Sequence, residues 1–336
     1  MAASSPAPSD AELKLRNALT EDRPPRGTWI RIAGPICAVL LGVFGAAMYI
    51  RPIEVLRFIQ KTRLGWSGVT ENELALNDGL LTYFVTGGYP DQEPLILIHG
   101  VGPNAALEWR GVIATLAQAH YKVIAPNLPG FASSDHKQVQ YSIAYQAAAL
   151  ADLIDKLKLE KVNLVGHDLG ADVALYYAVD HPDNVERLIL VSGGMIGRRD
   201  AERIRASLVP NTPDKVKALV DSAFFGLPPM PDFMYERMMA ALASDLPAQT
   251  DMLNSAAKDE AHIRSKLGQI FNTLTVVMWG GKDPVVPAAR EEALHLALPG
   301  SATVIFKSSG HDPQLEHPDE FADSILYLLR QTEGGR

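Results

Sequence analysis

A chain of 336 residues with 47% hydrophobic side chains has room for one large domain and a smaller insertion. Its formal net charge of −8 leaves no basic excess for nucleic acid. The single cysteine, Cys37, excludes an intrachain disulfide and any cysteine-based metal site, and the nine histidines are scattered without H-E-x-x-H spacing, so neither metal nor cofactor is expected.

Residues 1–28, rich in Ala, Ser, Pro and charge, read as a disordered tail. Residues 29–51 read as a transmembrane anchor. Ile32 to Ile50 carries no charge, is bounded by Arg31 and Arg51, and has Trp29 and Tyr49 near its ends where interfacial aromatics sit. A cleaved signal peptide is the alternative, since Gly45-Ala46-Ala47 offers a small-residue site, but a charged leader of about 30 residues is long for that purpose. Arg23, Arg26 and Arg31 precede the stretch and Arg51, Arg57, Lys61 and Arg63 follow it, so basic residues do not choose a membrane side. The expectation is a single-pass membrane protein with the lipid bilayer as a partner. Residues 52–73 read as a connector. Ile53, Leu56 and Ile59 fall at helical spacing and Arg57, Lys61 and Arg63 could meet lipid head groups, although a solvated linker helix fits as well.

Strand-like segments then begin. Glu73 to Leu76 and Leu80 to Thr86 flank Asn77-Asp78-Gly79, a hairpin signal. Leu95-Ile-Leu-Ile98 runs into His99-Gly100-Val101-Gly102-Pro103-Asn104, and Asn127-Leu128-Pro129-Gly130-Phe131 follows a further apolar run. The alternation of strands and helices predicts a mostly parallel sheet covered on both faces, with ligands beyond the carboxyl ends of the strands.

Val165-Gly166-His167-Asp168-Leu169-Gly170 joins an apolar strand to a helical stretch. In a G-x-S-x-G elbow this turn lifts one side chain above the sheet edge, with the next backbone N–H facing the same space. Here the lifted group is Asp168. After Val185 to Ser192 the pattern leaves strand alternation. Residues 194–270 are helical in character, broken by prolines, and contain Met195, Met230, Met234, Met238, Met239 and Met252. They read as a cap over the nucleophile, its methionines lining an adaptable pocket or, the blander reading, packing helix against core. Leu274 to Trp279 reads as a buried strand leading to Asp283, and Ala302 to Phe306 as another leading to Ser309-Gly310-His311. Nucleophile, acid and histidine therefore come in the chain order known for elbow enzymes.

A carboxylate changes the plausible chemistry. With a reference pKa of about 4, an aspartate is an anion at neutral pH and needs no base before it attacks. Attack on an ester would give a mixed anhydride, which gains little over direct hydrolysis. Attack on a saturated carbon gives an ordinary alkyl ester, which a His-activated water can cleave. That points to epoxide C–O or carbon–halogen bonds.

From about Leu74 to Leu329 the chain resembles the α/β-hydrolases, and within them the aspartate-nucleophile branch of epoxide hydrolases and haloalkane dehalogenases. The resemblance rests on Leu95 to Gly100, Asn127 to Phe131, the elbow, Asp283 and Ser309 to Pro318. It implies an eight-stranded, mostly parallel sheet, with the core in 74–193 and 271–331 and a helical cap in 194–270. It implies Asp168 as nucleophile, His311 as base and Asp283 as the residue orienting it. The N–H of Leu169 and one from Val101 or Gly102 would form the oxyanion hole. Dehalogenases usually carry Trp after the nucleophile and a second halide donor after His-Gly, where this chain has Leu169 and Val101. Epoxide hydrolases usually supply two cap tyrosines, and Tyr235 is the one tyrosine between Gly194 and Ile270. Tyr235, Asn104 and Trp109 are the candidates for contacting a leaving group. His167 is expected to pack away from Asp168, and Asp312, Glu316 and His317 to cap the last helix.

The expected function is a membrane-anchored epoxide hydrolase acting on a small apolar organic substrate and water. Haloalkane dehalogenation, hydrolysis of esters or other carbonyl substrates, and a non-catalytic binding role are the alternatives.

Overall fold

The computed structural model describes residues 26–88, 93–100, 105–195, 197, 201–202, 205, 209, 212–223, 230–287 and 289–330, with backbone alone at 26–36, 52, 53, 56, 57, 60 and 219–223. The chain divides into two compact units, one ending at Arg51 and one starting at Pro52.

In the first unit, helix α1 runs over Arg26–Ile50. The disordered tail expected over 1–28 lies outside the described residues as far as residue 25. The expected membrane-spanning helix is not supported: among the described residues no helix is long and apolar enough to cross a membrane. Val39, Leu40, Leu41 and Val43 are exposed along α1.

The second unit opens with α2 (Pro52–Trp66), so the connector expected over 52–73 is instead part of the folded body. Leu64 and Val69 are buried in the same apolar cluster as Leu95 and Phe321, and α2 packs against α3 (Ala105–Glu108), α4 (Arg110–Gln118) and the cap helix Asp232–Leu242. A helix that gives a leucine to the core cannot behave as a solvated linker.

Eight strands form one sheet: β1 (Thr70–Leu76), β2 (Gly79–Val85), β3 (Leu95–Ile98), β4 (Val123–Pro126), β5 (Val162–His167), β6 (Val185–Val191), β7 (Leu274–Gly280) and β8 (Ala302–Phe306). Their spatial order is β1-β2-β4-β3-β5-β6-β7-β8, with β2 antiparallel to both neighbours and β3 to β8 parallel. The mostly parallel eight-stranded sheet is as expected, with β1 starting earlier, at Thr70. Its Leu76 pairs with Gly79, so Asn77-Asp78 makes a two-residue hairpin loop.

Strand alternation explains the two cores. Ile96 and Ile98 enter the cluster under α5 (Ile143–Lys156) and α6 (Leu169–Asp180), while Leu95 and Leu97 enter the cluster under α4 and α12 (Pro318–Arg330). All four β3 side chains are buried, as a central parallel strand covered on both faces requires. Helix α5 starts where the Ser142 hydroxyl accepts the Tyr145 N–H at 3.1 Å, and it turns Ile143, Ala147, Leu150 and Ile154 inward. Between β6 and β7 the chain forms α7 (Pro213–Ala223), α8 (Asp232–Leu242) and α9 (Leu246–Lys266), the helical segment expected of a cap. After β7 come α10 (Ala289–Ala297) and, beyond β8, α11 (Pro313–Glu316).

The order β4-β3-β5 places the topological switch between β3 and β5. These two strands end at His99-Gly100 and at Asp168, which places both at the point of the sheet edge where such folds hold their ligands.

Candidate active site

The elbow forms as expected. Asp168 sits between β5 and α6 at φ 51° and ψ −121°, a left-handed conformation that non-glycine residues adopt only when the surroundings impose it. The flanking glycines supply that constraint. A Cβ on Gly166 would lie 2.3 Å from the Gly170 carbonyl oxygen, and one on Gly170 would lie 2.4 Å from the Ile98 carbonyl oxygen. Strand, turn and helix thus approach too closely for any side chain. Leu169 is the first residue of α6, so its N–H is one of the donors that no helical carbonyl reaches. Gly100 lies against the nucleophile, where a Cβ would stand 2.7 Å from the Asp168 Cβ.

The base comes from the loop after β8. His311 Nδ1 donates to Asp283 Oδ2 at 2.9 Å, and Asp283 Oδ1 accepts the N–H groups of Val285 and Val286 at 2.8 and 2.9 Å. With Nδ1 committed, Nε2 is the nitrogen left to take a proton, and it makes no hydrogen bond among the described residues. The structure thus brings Asp283 and His311 into direct contact. Burial acts to lower the proton affinity of His311, but the charge and hydrogen bond of Asp283, helped by Asp312 and Asp168, overcome it and raise the pKa to about 10. The ring holds its proton while Asp168 is charged. It releases it more readily once that charge is gone.

The residues expected to cap the last helix do other work. Glu316 accepts the Gly310 N–H at 3.0 Å and the Asp312 N–H at 3.3 Å, tightening the base loop. His317 Nε2 meets the Ser308 hydroxyl at 3.2 Å. The Asp312 carboxyl faces His167 at 3.6 Å, and burial pushes its pKa up to about 6 against the opposing pull of His167 and His311.

His167 turns away from Asp168, as elbow geometry dictates. It reaches Glu108 with Nδ1 at 3.1 Å and the His311 carbonyl oxygen with Nε2 at 3.2 Å. Sequence reasoning missed Glu108, although a lone carboxylate in Ala105-Ala-Leu-Glu108-Trp109 is a legible anomaly. His99 bridges its own loop to the chain after β4, with Nδ1 on the Gly100 carbonyl oxygen at 2.8 Å and Nε2 accepting the Leu128 N–H at 3.0 Å. Burial lowers its proton affinity, which suits an acceptor nitrogen.

The remaining candidates are placed differently. Val101, Gly102 and Asn104 lie outside the described residues. Trp109, expected near a leaving group, is wholly buried in the core, with its ring 6.1 Å from Phe321 and 6.5 Å from His167. It lies under the site, because α3 and α4 press it against α12. Tyr235 is buried in a small cap cluster with Val216, Met230, Met238 and Met239, and its hydroxyl accepts the Met230 N–H at 3.0 Å. Met195 and Met252 belong to the main core. These five methionines pack rather than line a described pocket. No group of three or more His, Cys, Asp or Glu suited to a metal occurs among the described residues.

The alpha/beta hydrolase fold family matches residues 93–318. An uncharacterized protein of Mycobacterium tuberculosis, Rv2715, is 32% identical over 71% of this chain and 76% of its own length. An Escherichia coli 2-hydroxy-6-oxononadienedioate/2-hydroxy-6-oxononatrienedioate hydrolase is 27% identical over 70% of this chain and 87% of its own. Among solved structures, a membrane phospholipase A described as a bacterial virulence factor superimposes with a TM-score of 0.70 at 25% identity, covering 90% of this chain and 99% of that one.

Proposed function

The chain belongs to the alpha/beta hydrolase fold family and is a hydrolase of that fold, and from that premise we propose that it cleaves a small apolar epoxide through a covalent ester on Asp168. The observation that carries this reading is the carboxylate on the elbow turn, opposite a histidine already oriented by Asp283. An Asp168 oxygen attacks the less hindered epoxide carbon, the C–O bond breaks, and the released oxygen takes a proton. That proton is proposed to come from Tyr235, whose hydroxyl accepts the Met230 N–H and keeps its own hydrogen, which requires the cap to bring Tyr235 from its cluster with Val216 and the methionines to the sheet edge. Esterification removes the Asp168 charge, and with it one of the charges that hold the proton on His311. The proton that His311 gives up returns to the Tyr235 oxygen, and the neutral His311 Nε2 then takes a proton from water as the hydroxide adds to the ester carbonyl. Leu169 N–H and a donor from Val101 or Gly102 receive the oxyanion, and collapse frees the diol and restores the carboxylate.

Oxygen labelling tests the scheme. In a single turnover in 18O-water, the product carries the unlabelled oxygen of Asp168 and the label appears in the Asp168 carboxylate. Label entering the product in that first turnover contradicts the ester intermediate.

Haloalkane substrates use the same two steps without a proton donor, and Tyr235→Phe separates the two. A carbonyl substrate is the second reading, favoured by the dienedioate hydrolase and the phospholipase A that the chain resembles. It requires turnover of esters with no adduct on Asp168. The N-terminal helix is proposed to associate with membrane through Val39, Leu40, Leu41, Val43 and Phe44. Release of the full chain from membranes by high salt or alkaline carbonate would refute this.

A further inference from the structure

His167 is enclosed by groups that leave its ring little choice of protonation. Its Nε2 faces the His311 carbonyl oxygen, which can only accept, so Nε2 carries a hydrogen. Its Nδ1 faces Glu108 Oε1, and both oxygens of that carboxyl accept the Gly100 N–H at 3.1 and 3.2 Å, so a charged Glu108 takes a hydrogen bond from Nδ1 as well. A ring that donates from both nitrogens is an imidazolium. Asp312, 3.6 Å from Nε2, adds a second compensating carboxyl. The other groups facing the ring are His311, 5.0 Å away between centroids, and the uncharged Trp109 edge. His99, at the end of β3, feels its charge. His167 and Glu108 are each 3% exposed, so water screens the set little.

The geometry matters for what the two ends touch. Through Glu108 the ring reaches Gly100, which heads the loop from which the second oxyanion donor is expected. Through the His311 carbonyl it reaches the backbone of the base. We propose that His167 is a permanently charged positioning residue which, through Glu108, ties Gly100 at the end of β3 to the base loop so that His311 is held for ester hydrolysis. Its kinetic consequence rests on the Asp168 ester reading. Attack by Asp168 needs no base, whereas hydrolysis needs His311 held in place. A residue that merely filled space would affect the two steps alike.

Two measurements on the full chain test this separately. In protein labelled with 15N-histidine, long-range 1H–15N correlation should show both His167 ring nitrogens protonated from about pH 6 to pH 9, well past the ordinary histidine range. The signal is assigned by its loss in His167→Gln, and a neutral ring at pH 7 overturns the proposal. In Glu108→Gln, which keeps an acceptor for Gly100 but loses the charge, His167 should titrate near its ordinary value, and an unchanged imidazolium also overturns it. Kinetically, rapid-quench mass spectrometry of His167→Gln should show ester formation within about threefold of wild type and hydrolysis slowed on the order of 10²-fold, the cost of displacing a catalytic group by about 1 Å. Equal slowing of both steps, or of neither, contradicts a positioning role. If no adduct forms even in His311→Gln, the ester reading fails on its own, and the ring-protonation result still decides the charge of His167.

Discussion

The carboxyl edge of the sheet and the cap are built by different rules. At the edge, position is set by backbone. Asp168 is held at positive φ because Gly166, Gly170 and their neighbours leave no room for another path, and His311 is fixed by a carboxylate that is itself held by two N–H groups. In the cap, position is set by side-chain packing. Tyr235 is the one buried residue of α8, and it rests on Val216 and three methionines, whose flexible thioethers accept small shifts at little cost. The proposed ester chemistry therefore rests on the edge, and the cap contributes the proton of Tyr235.

The largest effect should come from the edge. Asp168→Asn removes the nucleophile while conserving volume, and turnover should fall on the order of 10⁴-fold or more with little change in thermal stability. A loss confined to KM would contradict a covalent role. Gly100→Ala sharpens the same point without touching a reacting group. Its Cβ would stand 2.7 Å from the Asp168 Cβ, so a displaced nucleophile should cost turnover on the order of 10²-fold, read by steady-state kinetics. If the cap supplies the epoxide's proton, Tyr235→Phe should lower epoxide turnover by about 10²-fold or more and leave haloalkane turnover nearly unchanged. Equal loss on both substrates would make Tyr235 a packing residue of the cap.

The edge also predicts a pH dependence. Hydrolysis of the ester requires neutral His311, so its rate should rise with pH. The midpoint should lie above the ordinary 6.5 and below the value of about 10 that holds with Asp168 charged, because the ester no longer carries that charge. Asp283→Asn removes the largest influence raising it and should move the midpoint down, as read from single-turnover decay across pH. The smallest effect on chemistry, though not on stability, concerns α2. Leu64→Ala should cost about 2–5 kcal/mol in denaturant unfolding, the range for emptying a buried leucine site, and leave the pH profile unchanged.

The difference between edge and cap also explains what could be read in the sequence. The parallel sheet, the elbow, Asp283 and His311 were legible because each depends on short-range pattern: a continuous apolar run, a glycine pair, a turn at a strand tip. The Glu108–His167–His311 connection was not, because it joins three segments distant in sequence through groups that each look ordinary alone. Trp109 was misplaced for a related reason. Its nearness to the oxyanion loop in sequence suggested a role in the site, whereas α12, more than two hundred residues later, claims it for the core. Residues 52–73 were read as a connector because Ile53, Leu56 and Ile59 at helical spacing beside Arg57, Lys61 and Arg63 suit an amphipathic surface helix, yet burial of Leu64 and Val69 brings the segment into the folded body.

The central claim, an ester on Asp168, is tested most directly by removing the base. His311→Gln leaves attack intact, because the carboxylate needs no activation, and blocks hydrolysis. After incubation with a panel of epoxides and haloalkanes, intact mass spectrometry should show one adduct per chain, equal to the substrate mass for an epoxide, and peptide mapping should locate it at Asp168. No adduct across the panel, with turnover of esters by the unmodified chain, would contradict the account and assign the enzyme to carbonyl substrates.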